Sequence, residues 1–124
     1  MAKKQVLRKL FLWPPVIALM GVLFYVSSIP GKDVPALFPY QDILFHLGSY
    51  AVLGLLFRRA LKNTFLNITP LKLIFFTVLF CVTYGVSDEF HQFFIPKRSA
   101  SGFDVFIDGI GSLFANLVFY RWPK

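Results

Sequence analysis

Four long apolar stretches, joined by short polar connections, constrain this chain more than any other feature. They run over about 10–29, 43–61, 71–87 and 103–120. Each is close to the roughly 17–25 residues that an α-helix needs to cross a hydrocarbon layer of about 30 Å. Only 15% of the residues are charged, whereas a soluble domain carries about a quarter, and 56% are hydrophobic. The 16 phenylalanines deepen that imbalance. The expected fold class is therefore all-α: an integral membrane four-helix bundle with short loops, forming one domain over residues 1–124.

The ends of the stretches read as helix boundaries. Pro14 and Pro15 fall in the first turn of the first span, where a missing amide donor costs least. Ser27, Ser28, Pro30 and Gly31 close it in a turn. The basic flank before this span is compatible with a signal peptide, but the span is long, no Ala-x-Ala site follows, and three more spans come after it. A retained anchor is the better reading. Arg58 and Arg59 end the second span, where long side chains reach lipid headgroups. Tyr40, Tyr120 and Trp122 suit interfacial positions, with Trp13 slightly inside.

The basic residues give the bundle a direction. With four spans, both termini share one side with the loop joining the second and third helices. That side receives ten of the 13 basic residues: Lys3, Lys4, Arg8, Lys9, Arg58, Arg59, Lys62, Lys72, Arg121 and Lys124. Lys32, Lys97 and Arg98 fall on the other side. The positive-inside rule then puts both termini in the cytoplasm of a multi-pass protein of the cytoplasmic membrane. The same scatter of charge beside apolar runs argues against nucleic-acid binding, despite a formal net charge of +7. The single cysteine, Cys81, lies in an apolar stretch and reads as a small packing residue.

Chemistry collects on the side opposite the termini. All six acidic residues map there, as do His46 and His91. Wet loops account for Asp33. They do not account for Asp108 and His46, which lie about one turn inside a span, where an ionisable group is expensive unless it faces the bundle interior or a wet cavity. Asp42, His46 and Tyr50 are spaced at four residues, as are Asp104 and Asp108, and as are Asp88 and Gln92, so each set shares a helix face. Glu89 begins the adjacent stripe. Three helices thus aim polar stripes at one level of the membrane, and Gly48, Gly54, Gly85, Gly109 and Gly111 let them approach.

Two uses of this cluster compete. Aspartates at the starts of the second and fourth spans can cap amides while Arg98 neutralises carboxylates, which is a structural role. Alternatively Asp42, His46, Glu89, Asp104 and Asp108 form a site that holds a divalent cation or performs general acid-base work on a headgroup, with Gln92 and Arg98 contacting the ligand. No His-Glu-x-x-His spacing occurs, and a carboxylate-rich set suits magnesium or calcium better than zinc. His91 reads as an ordinary interfacial histidine. The loop from Phe90 to Ser101 can dip Phe93 and Phe94 into the outer leaflet while Arg98 holds a phosphate or carboxylate.

Taken together, five motifs in order resemble the VanZ-like family: Ser27-Ser28-x-Pro30-Gly31, Asp42-x3-His46-x3-Tyr50, Ser87-Asp88-Glu89-x2-Gln92, Pro96-x-Arg98-Ser99 and Asp104-x3-Asp108-x2-Gly111. The resemblance covers nearly the whole chain. It implies a bacterial envelope protein facing outward, with Asp42, His46, Glu89, Gln92, Arg98, Asp104 and Asp108 as the family residues. The family takes its name from a glycopeptide (teicoplanin) resistance protein. Membrane lipid, a peptidoglycan precursor or a glycopeptide antibiotic are the partners this implies. A noncatalytic envelope scaffold and a small oligomeric transporter remain as alternatives, and the residues leave the oligomeric state open.

Overall fold

The structure is a computed structural model that describes residues 2–98, 101–118 and 120. Its elements are α1 (Ala2–Leu12), α2 (Pro14–Ser27), a 3-10 turn (Gly31–Asp33), α3 (Gln41–Thr64), α4 (Pro70–Gln92) and α5 (Gly102–Val118). No strand occurs among the described residues.

Helix starts further upstream than the apolar stretch at 10–29 suggests. Lys3, Lys4, Arg8 and Lys9 all lie in α1, which docks on the end of α3. Arg8 Nη2 donates to Asn63 Oδ1 at 3.2 Å, and Trp13 Nε1 donates to Thr64 Oγ1 at 3.0 Å. The break at Trp13 has a simple cause. Pro14 and Pro15 have no amide hydrogen for the carbonyls of Leu10 and Phe11, so α1 ends there. Val16 and Ile17 both donate to the Trp13 carbonyl, which starts α2. The helices α3 and α4 also overrun their apolar windows at both ends, by one to five residues, whereas α5 starts one residue early and ends at Val118. Pro70 occupies the first turn of α4, and Thr69 caps it by accepting from the Lys72 amide at 3.3 Å.

Three rods are long and apolar enough to cross a membrane: Ala2–Ser27, Gln41–Thr64 and Pro70–Gln92. The 17-residue α5 is about 25 Å long, at the short end of what a crossing needs. Arg121, Trp122 and Lys124, and Ser99 of the third loop, lie outside the described residues.

Apolar side chains face outward and polar ones inward. Phe11, Phe75, Phe106 and Phe114 are exposed, whereas Thr77, Asp108, Ser112 and Asn116 are fully buried. In water this arrangement would be unstable; in lipid it is the favourable one, since polar groups need partners inside the bundle. This is a membrane protein.

The bundle is built around α5, which packs most extensively on α3 and then on α4. Gly111 makes the first contact possible, because a Cβ there would come within 2.5 Å of the Leu47 carbonyl oxygen. One end of the bundle holds the C-termini of α2 and α4 and the N-termini of α3 and α5, and is called the acidic end below. The other, basic end corrects one expectation. Arg58 does not extend to the headgroups; it is 4% exposed and donates to the Tyr120 carbonyl at 2.6 Å. The chain just past α5 has carbonyls without intrahelical donors, and the guanidinium satisfies one of them.

Candidate functional site

The start of α3 at the acidic end is not capped by an aspartate. Tyr40 holds the cap position in a left-handed conformation with φ 63° and no side-chain hydrogen bond. Gln41 instead ties the preceding loop, accepting from the Leu37 amide and donating to the Pro35 carbonyl. At the start of α5, Ser101 Oγ accepts from the Phe103 amide at 3.1 Å. The capping role expected of Asp42 and Asp104 is taken by Ser101 at α5 and by no side chain at the α3 cap position, and both carboxylates are left for other work.

Among the described residues, Tyr40 and Lys97, the latter at φ 58°, are the two non-glycine residues with positive φ. Both sit at the mouth of the acidic end. Such backbone is costly and persists only where surrounding structure enforces it. Here the Gly31 amide donates to the Pro96 carbonyl at 2.9 Å, stitching the first and third loops together beside Lys97.

His46 is the centre of the cluster. It is 6% exposed and lies one turn into α3. Its Nδ1 is 2.8 Å from Asp108 Oδ1, and Asp108 is completely buried. Asp108 fits because α4 has no side chain opposite: a Cβ on Gly85 would lie 2.6 Å from Asp108 Oδ2. With a carboxylate accepting, Nδ1 carries the proton and Nε2 is directed away from Asp108. Nε2 lies 4.0 Å from Glu89 Oε1 and 3.9 Å from Asp104 Oδ2. Neither separation is a hydrogen bond. Glu89 is held in place from its other oxygen, since Oε2 accepts from the Ser101 amide at 2.8 Å.

Arg98 departs from expectation. Its expected role is to neutralise carboxylates or to contact a ligand. Its Nη1 donates instead to the carbonyls of Ile29 (3.2 Å) and, at 3.4 Å, Val26. The last turn of α2 offers carbonyls with no intrahelical donor, and the guanidinium meets them before it can reach Asp108. It still acts electrostatically on Asp88 and Asp104. His91 has the structural role read from the sequence: Nε2 is 2.8 Å from Ser28 Oγ, and the ring stacks on Phe24. Asp42 is exposed and lies at the rim, while Gln92 is buried.

Asp88 and Tyr50 matter more here than their sequence context suggests. Asp88 is 7% exposed, with the Ser27 hydroxyl in hydrogen-bonding range, and Tyr50 stacks beside His46. Asp88 and Glu89 differ by about 100° around α4. Both are buried, because α2, α3 and α5 surround that end of α4. Tyr50 OH, Asp88 Oδ1, Glu89 Oε1 and Asp108 Oδ2 are buried without a hydrogen-bond partner within the described protein. Each such atom costs about 1–3 kcal/mol if it stays unsatisfied, and four of them would rival the whole stability of a small domain. They are a strong sign that something other than the protein's own side chains belongs here.

A polar cavity of about 180 Å³ opens above His46, with Asp42, Gln92, Arg98 and Asp104 in its walls. Beside it runs an apolar groove of about 480 Å³, walled by Val26, Pro35, Leu37, Phe38, Leu44 and Phe45. The two share Val34, Gln41, Asp42, His46 and Arg98. A second apolar groove of about 640 Å³ lies between α4 and α5 and reaches Glu89 from the opposite side.

Fold and site together define a small polytopic membrane protein with a buried histidine–carboxylate cluster beneath a polar cup at one end. The VanZ/LLP1 family model matches residues 11–122, and the chain belongs to that family. No curated protein and no solved structure matches it.

Proposed function

We propose that this protein binds or modifies a lipid-linked, peptidoglycan-related molecule at the outer face of the bacterial cytoplasmic membrane. The observation that carries this reading is the junction of cup and groove. An amphiphile has a polar head and an apolar chain, and a polar cavity continuous with an apolar groove receives both at once. His46 and Arg98 line both compartments, where head and chain would meet.

The ten-to-three distribution of basic residues supports cytoplasmic termini and an outward-facing cup. Family membership connects the reading to glycopeptide resistance, since the family takes its name from a teicoplanin resistance protein. In that setting the ligand would be a peptidoglycan precursor carried on a lipid, and the antibiotic response would follow from its binding. The transporter alternative has less support. Thr77, Ser112 and Asn116 are fully buried in close-packed helices, which leaves a single bundle no open path to the basic end.

Native mass spectrometry of the full chain in nanodiscs tests the reading. Wild-type protein should retain a lipid-linked peptidoglycan precursor in preference to bulk phospholipid. Leu44→Trp, which fills the groove without touching the buried cluster, should release it. Equal retention of bulk phospholipid by both proteins, with no precursor bound, would contradict the proposal.

A further inference from the structure

The geometry points to a divalent transition-metal site, with zinc the best fit, formed by His46 Nε2, Glu89 Oε1 and Asp104 Oδ2 and oriented by Asp108.

Ligand spacing is the first argument. The imidazole nitrogen is 4.0 Å and 3.9 Å from the two carboxylate oxygens, and all three atoms lie within 4.8 Å of one another. These separations are too long for hydrogen bonds. A zinc ion sits about 2.0–2.2 Å from nitrogen and oxygen ligands, and tetrahedral geometry then separates the ligand atoms by roughly 3.3–3.6 Å. The three atoms therefore have to draw together by several tenths of an ångström or more. Asp104 is the most accessible of them, with 19% of its side chain exposed, and has the most freedom to do so.

The second argument is the tautomer. Asp108 holds Nδ1, so in the neutral ring the Nε2 lone pair points at two carboxylates. Three electron-rich groups facing one another call for a proton or a cation between them. A metal-ligating histidine commonly gives its other ring N–H to a carboxylate, which fixes the ring and raises its basicity. His46 and Asp108 have this arrangement.

A third, independent sign is Glu89 Oε1. Glu89 is 6% exposed, and this oxygen has no hydrogen-bond partner although it is directed at His46. Its other oxygen is already bonded to Ser101. Charge balance agrees. The acidic end carries six carboxylates, Asp33, Asp42, Asp88, Glu89, Asp104 and Asp108, against Lys32, Lys97, Arg98 and the two histidines. A cation there, beside Lys97 and Arg98, would strengthen the cup's hold on a phosphate or carboxylate. That last step rests on the headgroup reading; the metal site does not.

Structure also sharpens the choice of metal. Asp108 is engaged with His46 and leaves the ligand set, so one imidazole and two carboxylates remain. Imidazole suits zinc and its first-row neighbours, whereas magnesium and calcium prefer all-oxygen sites. Three protein ligands leave a coordination position open toward the polar cavity.

Metal content and zinc titration of the tag-free full chain in nanodiscs provide the test, with Asp33→Asn as the control. Wild type and control should take up close to one zinc per chain and gain thermal stability with it. Asp104→Asn, the substitution least able to disturb folding, should lose stoichiometric uptake, as should Glu89→Gln. Asp108→Asn should weaken uptake by about 10–100-fold. Wild-type protein that takes up no zinc and gains no thermal stability from it would overturn the proposal, as would a preference for magnesium or calcium. Uptake unchanged in a folded Asp104→Asn would also overturn it. Zinc uptake with no effect on precursor retention supports the metal site and counts against the headgroup reading alone.

Discussion

The two ends of this bundle bury polar groups in opposite ways. At the basic end the contacts close locally: Arg58 on the Tyr120 carbonyl, Trp13 on Thr64, Arg8 on Asn63 and Thr77 on the Leu73 carbonyl. Asn116 follows, with Nδ2 on the Ser112 carbonyl, although its Oδ1 has no partner. At the acidic end a histidine and four carboxylates converge, and three of those carboxylates keep a buried oxygen with no hydrogen-bond partner. Both ends have the same packing problem in the same solvent. Contacts at the basic end satisfy groups within one helix or join one element to another. Those at the acidic end hold side chains in place for something else.

That comparison predicts which substitutions damage stability and which damage function. The largest effect should come from Asp108→Leu. It leaves the buried His46 ring without its partner, and breaking such a pair costs about 3–5 kcal/mol. Thermal unfolding in detergent should show the loss, and precursor binding should fall with it. Arg58→Met should cost less, about 1–3 kcal/mol for the stranded Tyr120 carbonyl. Precursor binding should survive in that variant once the protein is folded; a binding loss there would erase the distinction between the ends. The smallest effect is expected from Thr69→Ala, which removes the α4 cap for about 1 kcal/mol and leaves binding unchanged.

Much of the acidic end was legible because two periodicities coincide there. Asp42, His46 and Tyr50 share a helix face, as do Asp104 and Asp108, and the cost of ionisable groups in a span gave the inward direction. Partnership was not legible. Whether Asp108 meets His46 or Arg98 depends on how α3 and α5 slide along each other, and that register is set by the approach at Gly111 and the space at Gly85. The hydrogen-bond partners of Arg98 were hidden for the same kind of reason. Its carbonyl partners on α2 lie about seventy residues away in sequence, and carbonyls at a helix end leave no mark in composition. Arg58 looked like a headgroup anchor because a basic residue at the end of a span usually is one. Only the position of Tyr120 beside it turns it inward.

His46→Gln gives the most direct test of the claim that the acidic end is a site and not bundle glue. Glutamine can still donate an amide hydrogen toward Asp108, so the pair keeps a hydrogen bond while the imidazole nitrogen facing Glu89 and Asp104 is lost. Thermal stability and precursor retention should be measured on the same preparation, beside teicoplanin susceptibility in a strain where deleting the gene changes it. The account predicts a folded protein with a modest drop in melting temperature, no retained precursor and the susceptibility of the deletion strain. Wild-type retention and susceptibility in folded His46→Gln would contradict it at its central residue.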